Sequence, residues 1–186
     1  MNVLEAVRTR RSIGRLAGDV DDGDLRLLVE AALWAPNHKL TNPWRFTALR
    51  GAARERLGAV WSEVVAKTTT LEGQDRETLL ARESRKPLRA PLLLVVSVRT
   101  DADPVVAIED FAAASAAVQN LLLLAHDLGY GAIWRTGAMV YRSEINEFLE
   151  LAPDDRIVGI VYVGRPAMDP PRALPRDVDA VLTILE

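Results

Sequence analysis

Arg8, Arg10 and Arg11 run directly into Ser12, with Gly14 and Arg15 behind them. Guanidinium groups take phosphate oxygens in pairs, and a serine hydroxyl adds a short donor, so the group suits an anion such as a phosphate. The plainer reading is helix capping, because cations at a helix C-terminus complement its dipole. On the residues alone, capping prevails for so small a cluster. A second concentration lies from Trp34 to Trp44, where Pro36, Asn37, His38, Lys39, Leu40, Thr41, Asn42 and Pro43 form a loop. His38 has no second His, Asp or Glu at ligand spacing, which removes a metal site from consideration. Third, Gly129 and Gly131 precede Trp134-Arg135-Thr136-Gly137. Glycines let a backbone approach a flat group closely, although turn glycines are common and the signal is weak alone. The absence of cysteine excludes disulfides, thiolate catalysis and cysteine metal sites. Neither a P-loop nor Gly-x-Gly-x-x-Gly occurs, which disfavours a dinucleotide-binding Rossmann unit. A net charge of -3 gives no nucleic-acid footprint.

These groups need a scaffold, and the chain supplies one built around Ile108–Leu128. Glu109 and Asp110 suit the opening of that helix, alanines fill its first half, leucines its second, and Gly129 its stop. Ser115, Gln119 and His126 share one narrow stripe, and Asn120 stands apart. Such polar residues interrupt the run short of a membrane span, so the expectation is a buried central helix. Its Ala-rich half would let another helix approach. A core helix of a monomer and the spine of a dimer interface both fit, with the former slightly favoured by physics alone.

Around it, Asn2 and Glu5 have capping-box spacing for a first helix with Val3, Leu4 and Val7 as its apolar stripe. Asp21 N-caps a second helix to Trp34, burying Leu25, Leu28, Val29 and Leu33. Residues 44–49 read as a strand, 51–67 as a helix with Trp61 on its apolar side, and 71–86 as an exposed charged helix. Leu92–Val98 and Arg156–Val163 read as buried strands, Ala132–Trp134 as a short strand, and Arg142–Leu149 as a short helix capped near Tyr141 and Ser143. The tail carries Pro170, Pro171 and Pro175 before a strand-like Ala180–Leu185, which needs a sheet edge of its own chain or of a partner. The pattern predicts one α+β (mixed α/β) domain over 1–186, with a small sheet flanked by helices and 165–186 as an extended arm. The N-terminus lacks a signal-like apolar core, and the lack of cysteine fits a reducing compartment, so a soluble cytoplasmic protein is expected.

Arg10-Arg11-Ser12 after a first helix, Ala35-Pro36-Asn37-His38-Lys39 ahead of Asn42-Pro43-Trp44-Arg45-Phe46, and Gly131-Ala132-Ile133-Trp134-Arg135-Thr136-Gly137 occur in one order. Together they resemble the FMN-dependent nitroreductase family, in particular its compact YdjA-type branch. The resemblance implies a nitroreductase-like homodimer with a mainly antiparallel sheet, long helices at the interface, C-terminal arms exchanged between subunits, and FMN at the interface. It implies that Arg10 and Ser12 hold the phosphate and ribityl end, with Arg11 nearby and Arg11 or Arg15 near flavin N1 and the C2 carbonyl. Trp134, Arg135 and Thr136 would run along the isoalloxazine, with the Gly137 N–H as a candidate for N5. Trp34 and His38 would come from the other subunit, and Arg165 would add a phosphate contact. The resemblance further implies NAD(P)H as electron donor and ping-pong reduction of nitroaromatics, quinones or similar electron-poor molecules, with no protein acid or base required. Around His38 the chain departs from the Ser-x-x-Asn-x-Gln pattern of larger members. The alternatives are an FMN-dependent reductase or dehydrogenase of another metabolite, or a flavin-binding dimer without turnover.

Overall fold

The computed structural model describes residues 1–186. In chain order it contains α1 (Val3–Thr9), β1 (Leu16–Ala17), α2 (Asp22–Leu33), a 3-10 turn at His38–Leu40 and β2 (Trp44–Leu49). There follow α3 (Ala52–Thr68), α4 (Gly73–Ser84), a second 3-10 turn at Lys86–Arg89, β3 (Leu92–Val98) and α5 (Pro104–Asp127). β4 (Gly131–Arg135), α6 (Ser143–Phe148) and β5 (Arg156–Pro166) complete it.

β3 is buried at every position, as an unbroken apolar run requires. Alternation along it assigns the layers. Leu92, Leu94, Val96 and Val98 face α2 and α5, while Leu93 and Val95 join Leu57 and Trp61 of α3 and Ile145 of α6. Each fully buried leucine here stabilises the fold by about 1.5–3 kcal/mol. β3 pairs with β2 on one side and β5 on the other, β4 adds to β5, and β1 pairs with the last residues of β5. All of these pairs are antiparallel, and one isolated parallel bridge joins Ser12 to Ala132. Val96 pairs with Gly159 but Ser97 with Ile157, so Val158 is the extra residue of a bulge.

α5 starts earlier than the sequence suggests. Asp103 is its N-cap and accepts from the Val105 N–H at 2.8 Å, so Glu109 and Asp110 lie inside the helix. With 24 residues it is long and apolar enough to cross a membrane by length and composition alone, so Ser115, Gln119 and Asn120 do not interrupt it as expected. Its apolarity has a use within the fold. Ala113, Ala114, Ala117, Val118 and Leu121 are buried in the core, and the Asn120 amide donates to the Ala31 carbonyl of α2 at 3.3 Å. Gly129, at φ +75°, ends the helix as predicted, and the Tyr130 N–H closes it onto the Ala125 carbonyl.

Several expectations are corrected. Val3, Leu4 and Val7 of α1 are exposed, and only Ala6 is buried. Leu33 is exposed as well, because α2 turns Leu28 and Ala32 inward instead. α6 has Arg142 at its N-cap and no side-chain cap. Residues 180–185 form no strand; a turn closes at Val178–Leu182 and the rest has no regular structure and is exposed. α4 is exposed along most of its length, as expected, with one buried position. It packs on α3 where Gly58 leaves no room for a side chain against the Ser84 carbonyl, and its Glu83 is buried and paired with Lys86 and Arg82. β1 had no signal in the sequence.

Candidate functional site

The arginine cluster leaves α1 in two opposite conditions. Arg11 folds back, its guanidinium donating to the Arg8 and Arg10 carbonyls at 2.7 Å each, which is the capping role. Arg10 is half-buried, has no carboxylate partner and makes no side-chain hydrogen bond. Burial, and then the adjacent Arg11 charge, lower its pKa below the usual guanidinium range. A cation held in this way favours an incoming anion. The Ser12 hydroxyl beside it is exposed and unbonded. A cavity of about 590 Å³ opens over Arg8, Arg10, Arg11 and Ser12, and its far wall is Arg172, Ala173, Leu174 and Arg176 of the C-terminal arm.

The Trp134–Gly137 loop is joined to this cluster through the sheet. Ser12 bridges Ala132, and the Ile13 N–H donates to the Ala132 carbonyl at 3.1 Å. From Ala132 the strand carries the chain about 10 Å to Arg135 at 3.3 Å per residue. The bulge then fixes Trp134. Its indole N–H donates to the Val158 carbonyl at 3.3 Å, and Gly159 has no Cβ to collide with the ring. Arg135 points to the other face, 5.2 Å from the Tyr162 ring centroid, with its Nε buried and unpartnered. Burial raises the Tyr162 pKa to about 12, although Arg135 and Arg89 oppose it. Thr136 and Gly137 are exposed, and Gly137, at φ +124°, has open space where a side chain would be. Its N–H donates to no backbone group. A cavity of about 490 Å³ follows this loop, with Trp61, Lys86 and Arg89 on its opposite side.

The third region stands apart from both cavities within one chain. Trp34 is 81 % exposed at the end of α2. His38 Nδ1 is 2.6 Å from Glu109 Oε2 on α5, and the Thr41 hydroxyl donates to buried Asp110 at 2.6 Å. Between these anchors Lys39, Leu40 and Asn42 all have positive φ, near +50°, a costly backbone for side chains other than glycine. Arg165 also has partners within the fold. It lies 3.9 Å from the Tyr130 ring centroid and donates to Tyr130 Oη and the Leu128 carbonyl, while Tyr130 donates to Asp24 at 2.6 Å. Burial, and then that bond to Asp24, raise the Tyr130 pKa.

A family model described as the nitroreductase family matches residues 7–165. The chain belongs to the nitroreductase family. Escherichia coli strain K12 YdjA, classed as an NAD(P)H nitroreductase, is 32% identical over 170 residues, covering 90% of both chains. A nitroreductase-like family protein from Bacillus cereus superposes with a TM-score of 0.86 at 28% identity, over 100% of this chain and 97% of the other. A Desulfovibrio desulfuricans protein described as a nitroreductase, solved in complex with FMN, gives 0.76 at 27% identity, over 100% and 98%. Membership makes this chain an oxidoreductase and agrees with the observed helix-flanked antiparallel sheet.

In this chain the fold thus brings Arg10, Arg11 and Ser12 together, and links them along β4 to Trp134, Arg135 and Thr136. Trp34 and His38 remain outside, and Arg165 is turned to Tyr130. Reading the sequence missed Arg172 and Arg176, whose alignment with Arg10 depends on the path of the arm. It also missed Trp61, Lys86 and Arg89. Trp61 reads as an ordinary core position on a helical stripe, and only tertiary packing puts it against Trp134–Gly137. A cation pair spaced by four residues in a proline-rich tail is the one signal that could have indicated Arg172 and Arg176.

Proposed function

We propose that the protein is a homodimeric FMN-dependent oxidoreductase that uses NAD(P)H to reduce nitroaromatic, quinone or similarly electron-poor small molecules in two alternating, ping-pong half-reactions. The observation that carries this reading is Arg10: half-buried, without an anion of its own, and facing Arg172 and Arg176 across one cavity. When bound, FMN supplies the hydride chemistry that side chains lack. The residues fit it. Arg10, Ser12, Arg172 and Arg176 offer a phosphate the charge-assisted donors it requires. The bridge from Ser12 to Ala132 sets the spacing to the loop, where Trp134 is immobilised on the sheet and Gly137 presents a free N–H to a flat ring. Arg15 and Arg89 border one further cavity, of about 450 Å³. With Arg11 turned to the Arg8 and Arg10 carbonyls, Arg15 and Arg89 would be the cations available to a ring edge that gains negative charge on reduction, favouring the reduced form. Arg165 would contribute through Tyr130, by fixing the floor beside the cluster.

What one chain leaves uncovered supports the dimeric reading. Val105, Ile108 and Phe111 form an exposed apolar stripe on α5, and Trp34 and the arm residues Val181, Ile184 and Leu185 are exposed as well. A second copy covers that stripe, exchanges the end of the arm beyond Arg176, and contributes its own Trp34 and His38 to the cofactor. As one cysteine-free domain over 1–186, the protein is assigned to the cytoplasm. The test is optical. The purified protein should be yellow, and anaerobic NADH or NADPH should bleach it; an acceptor panel of nitroaromatics and quinones should restore the colour. A colourless protein that takes up no FMN would reject the reading, and bound flavin that neither donor reduces would leave a binding protein in its place.

A further inference from the structure

α1 ends one residue before Arg10, so whatever holds its last turn also aims the cluster. Apolar packing within the chain contributes little, since Val3, Leu4 and Val7 are 77%, 57% and 51% exposed. A helix of 7 residues is too short to be stable alone. Two polar contacts with the last turn of α5 fasten it. The N-terminal ammonium is 3.0 Å from Asp127 Oδ1, and Thr9 Oγ1 is 2.8 Å from His126 Nε2. The Thr9 hydroxyl has a single proton, and it already donates that proton to the Glu5 carbonyl at 2.7 Å. The imidazole must therefore be the donor, with its proton on Nε2. His126 also lines a cavity of about 130 Å³ together with Thr9, Arg10, Arg11, Tyr130 and Ala132.

We infer that His126 is a positioning residue for the anion cluster: its Nε2–H, donated to Thr9, pins the end of α1 to α5 and keeps Arg10 half-buried beside Arg11. The inference rests on the cofactor reading of that cluster. Arg10 and Arg11 repel each other, and burial disfavours the Arg10 charge. A free segment would relieve both by turning Arg10 out to solvent. The segment is instead fixed at two points, by Thr9 on His126 before the cluster and by the Ile13 N–H on the Ala132 carbonyl after it. The remaining charged groups around the contact are Glu5, Asp127 and the N-terminal ammonium, and none of them reaches Arg10 as an ion-pair partner.

FMN affinity of the full-length protein and the ring ¹⁵N resonances of its 2 histidines test this together. Thr9→Val and His126→Leu should each weaken FMN binding by about five- to ten-fold, the worth of one hydrogen bond. Their combination should be no worse than the weaker single variant, since both remove the same contact. Thr9→Ser and His126→Gln keep a hydroxyl and an N–H donor and should bind within about two-fold of the parent. The resonances should give the Nε2–H tautomer for His126, perturbed by Thr9→Val and preserved in Thr9→Ser. Additive losses, unchanged affinity in both deletion variants, or an Nδ1–H tautomer would overturn the inference. If the parent takes up no FMN, the cofactor reading fails while the tautomer still decides the tether. If Arg10→Ala loses FMN and the tether variants keep it, only the positioning role fails. Should Thr9→Val or His126→Leu not fold, the tautomer of the parent protein decides.

Discussion

Strands β3 and β5 and the periphery formed by α1, the outer stripe of α5 and the arm are all rich in apolar residues, yet one chain treats them differently. β3 is buried throughout and β5 from Ile157 to Gly164, each sandwiched between helices of the same chain. Val7, Ile108, Leu174 and Ile184 in the periphery are left exposed. The difference teaches where stability resides. The sheet core is complete in one chain, whereas the periphery is left uncovered by it, and the proposed second copy and bound anion are what would complete it. The two candidate cavities lie along the boundary, with β4 on the complete side and Arg10 and the arm on the uncovered one.

Cutting the chain after Pro171 should show the largest effect, because it removes Arg172 and Arg176 along with the apolar end of the arm. The truncated protein should lose both the dimer and bound FMN while keeping its secondary structure, as read by sedimentation and the visible spectrum. A dimer retaining full flavin would place the arm among the dispensable parts. In the complete region, Leu94→Ala should cost about 2–5 kcal/mol of stability, a buried leucine's transfer and cavity terms together. That loss should be present equally in dilute and concentrated protein, by denaturant titration; a loss that vanished on dilution would tie the core to assembly.

Arg10→Ala should cost about 2–3 kcal/mol of FMN affinity by removing a charge-assisted contact, and leave the unliganded protein no less stable. Arg56→Ala is the control, an exposed arginine of α3 with no ion pair. Arg82 serves less well, since it pairs with buried Glu83. Equal FMN occupancy in both variants would reduce the cluster to a helix cap. The smallest effect concerns Asp21, whose pKa is lowered chiefly by the backbone N–H of Asp24 at the start of α2. A carboxylate depressed in the folded state contributes stability above its unfolded pKa and loses it as pH falls through the folded one. Asp21→Asn keeps an acceptor but cannot titrate, so its stability should fall less steeply below the ordinary carboxylate range. Identical acid limbs in a denaturant series would show that the cap does not titrate with folding.

The sequence by itself determined whatever short-range chemistry decides. Unbroken apolar runs specified β3 and most of β5, Asn2 and Asp21 announced their helices by capping them, and Gly129 marked the end of α5 because few other residues tolerate its φ. The types of residue at Arg10–Ser12 and Trp134–Gly137 were legible in the same way. Only the tertiary structure decided which of them are free. Arg11 and Arg10 are neighbours of one kind, yet one caps its own helix and the other is left half-buried without an anion. Trp134 is held because a single extra residue in β5 turns the Val158 carbonyl toward its indole. Trp61, Lys86 and Arg89 meet the loop after Trp134, and Arg172 and Arg176 meet Arg10, across spans that no local pattern encodes. Periodicity and capping act within a turn or two of chain. Register, a bulge and the path of an arm depend on contacts between segments far apart, and those contacts turn a list of arginines and tryptophans into a candidate site.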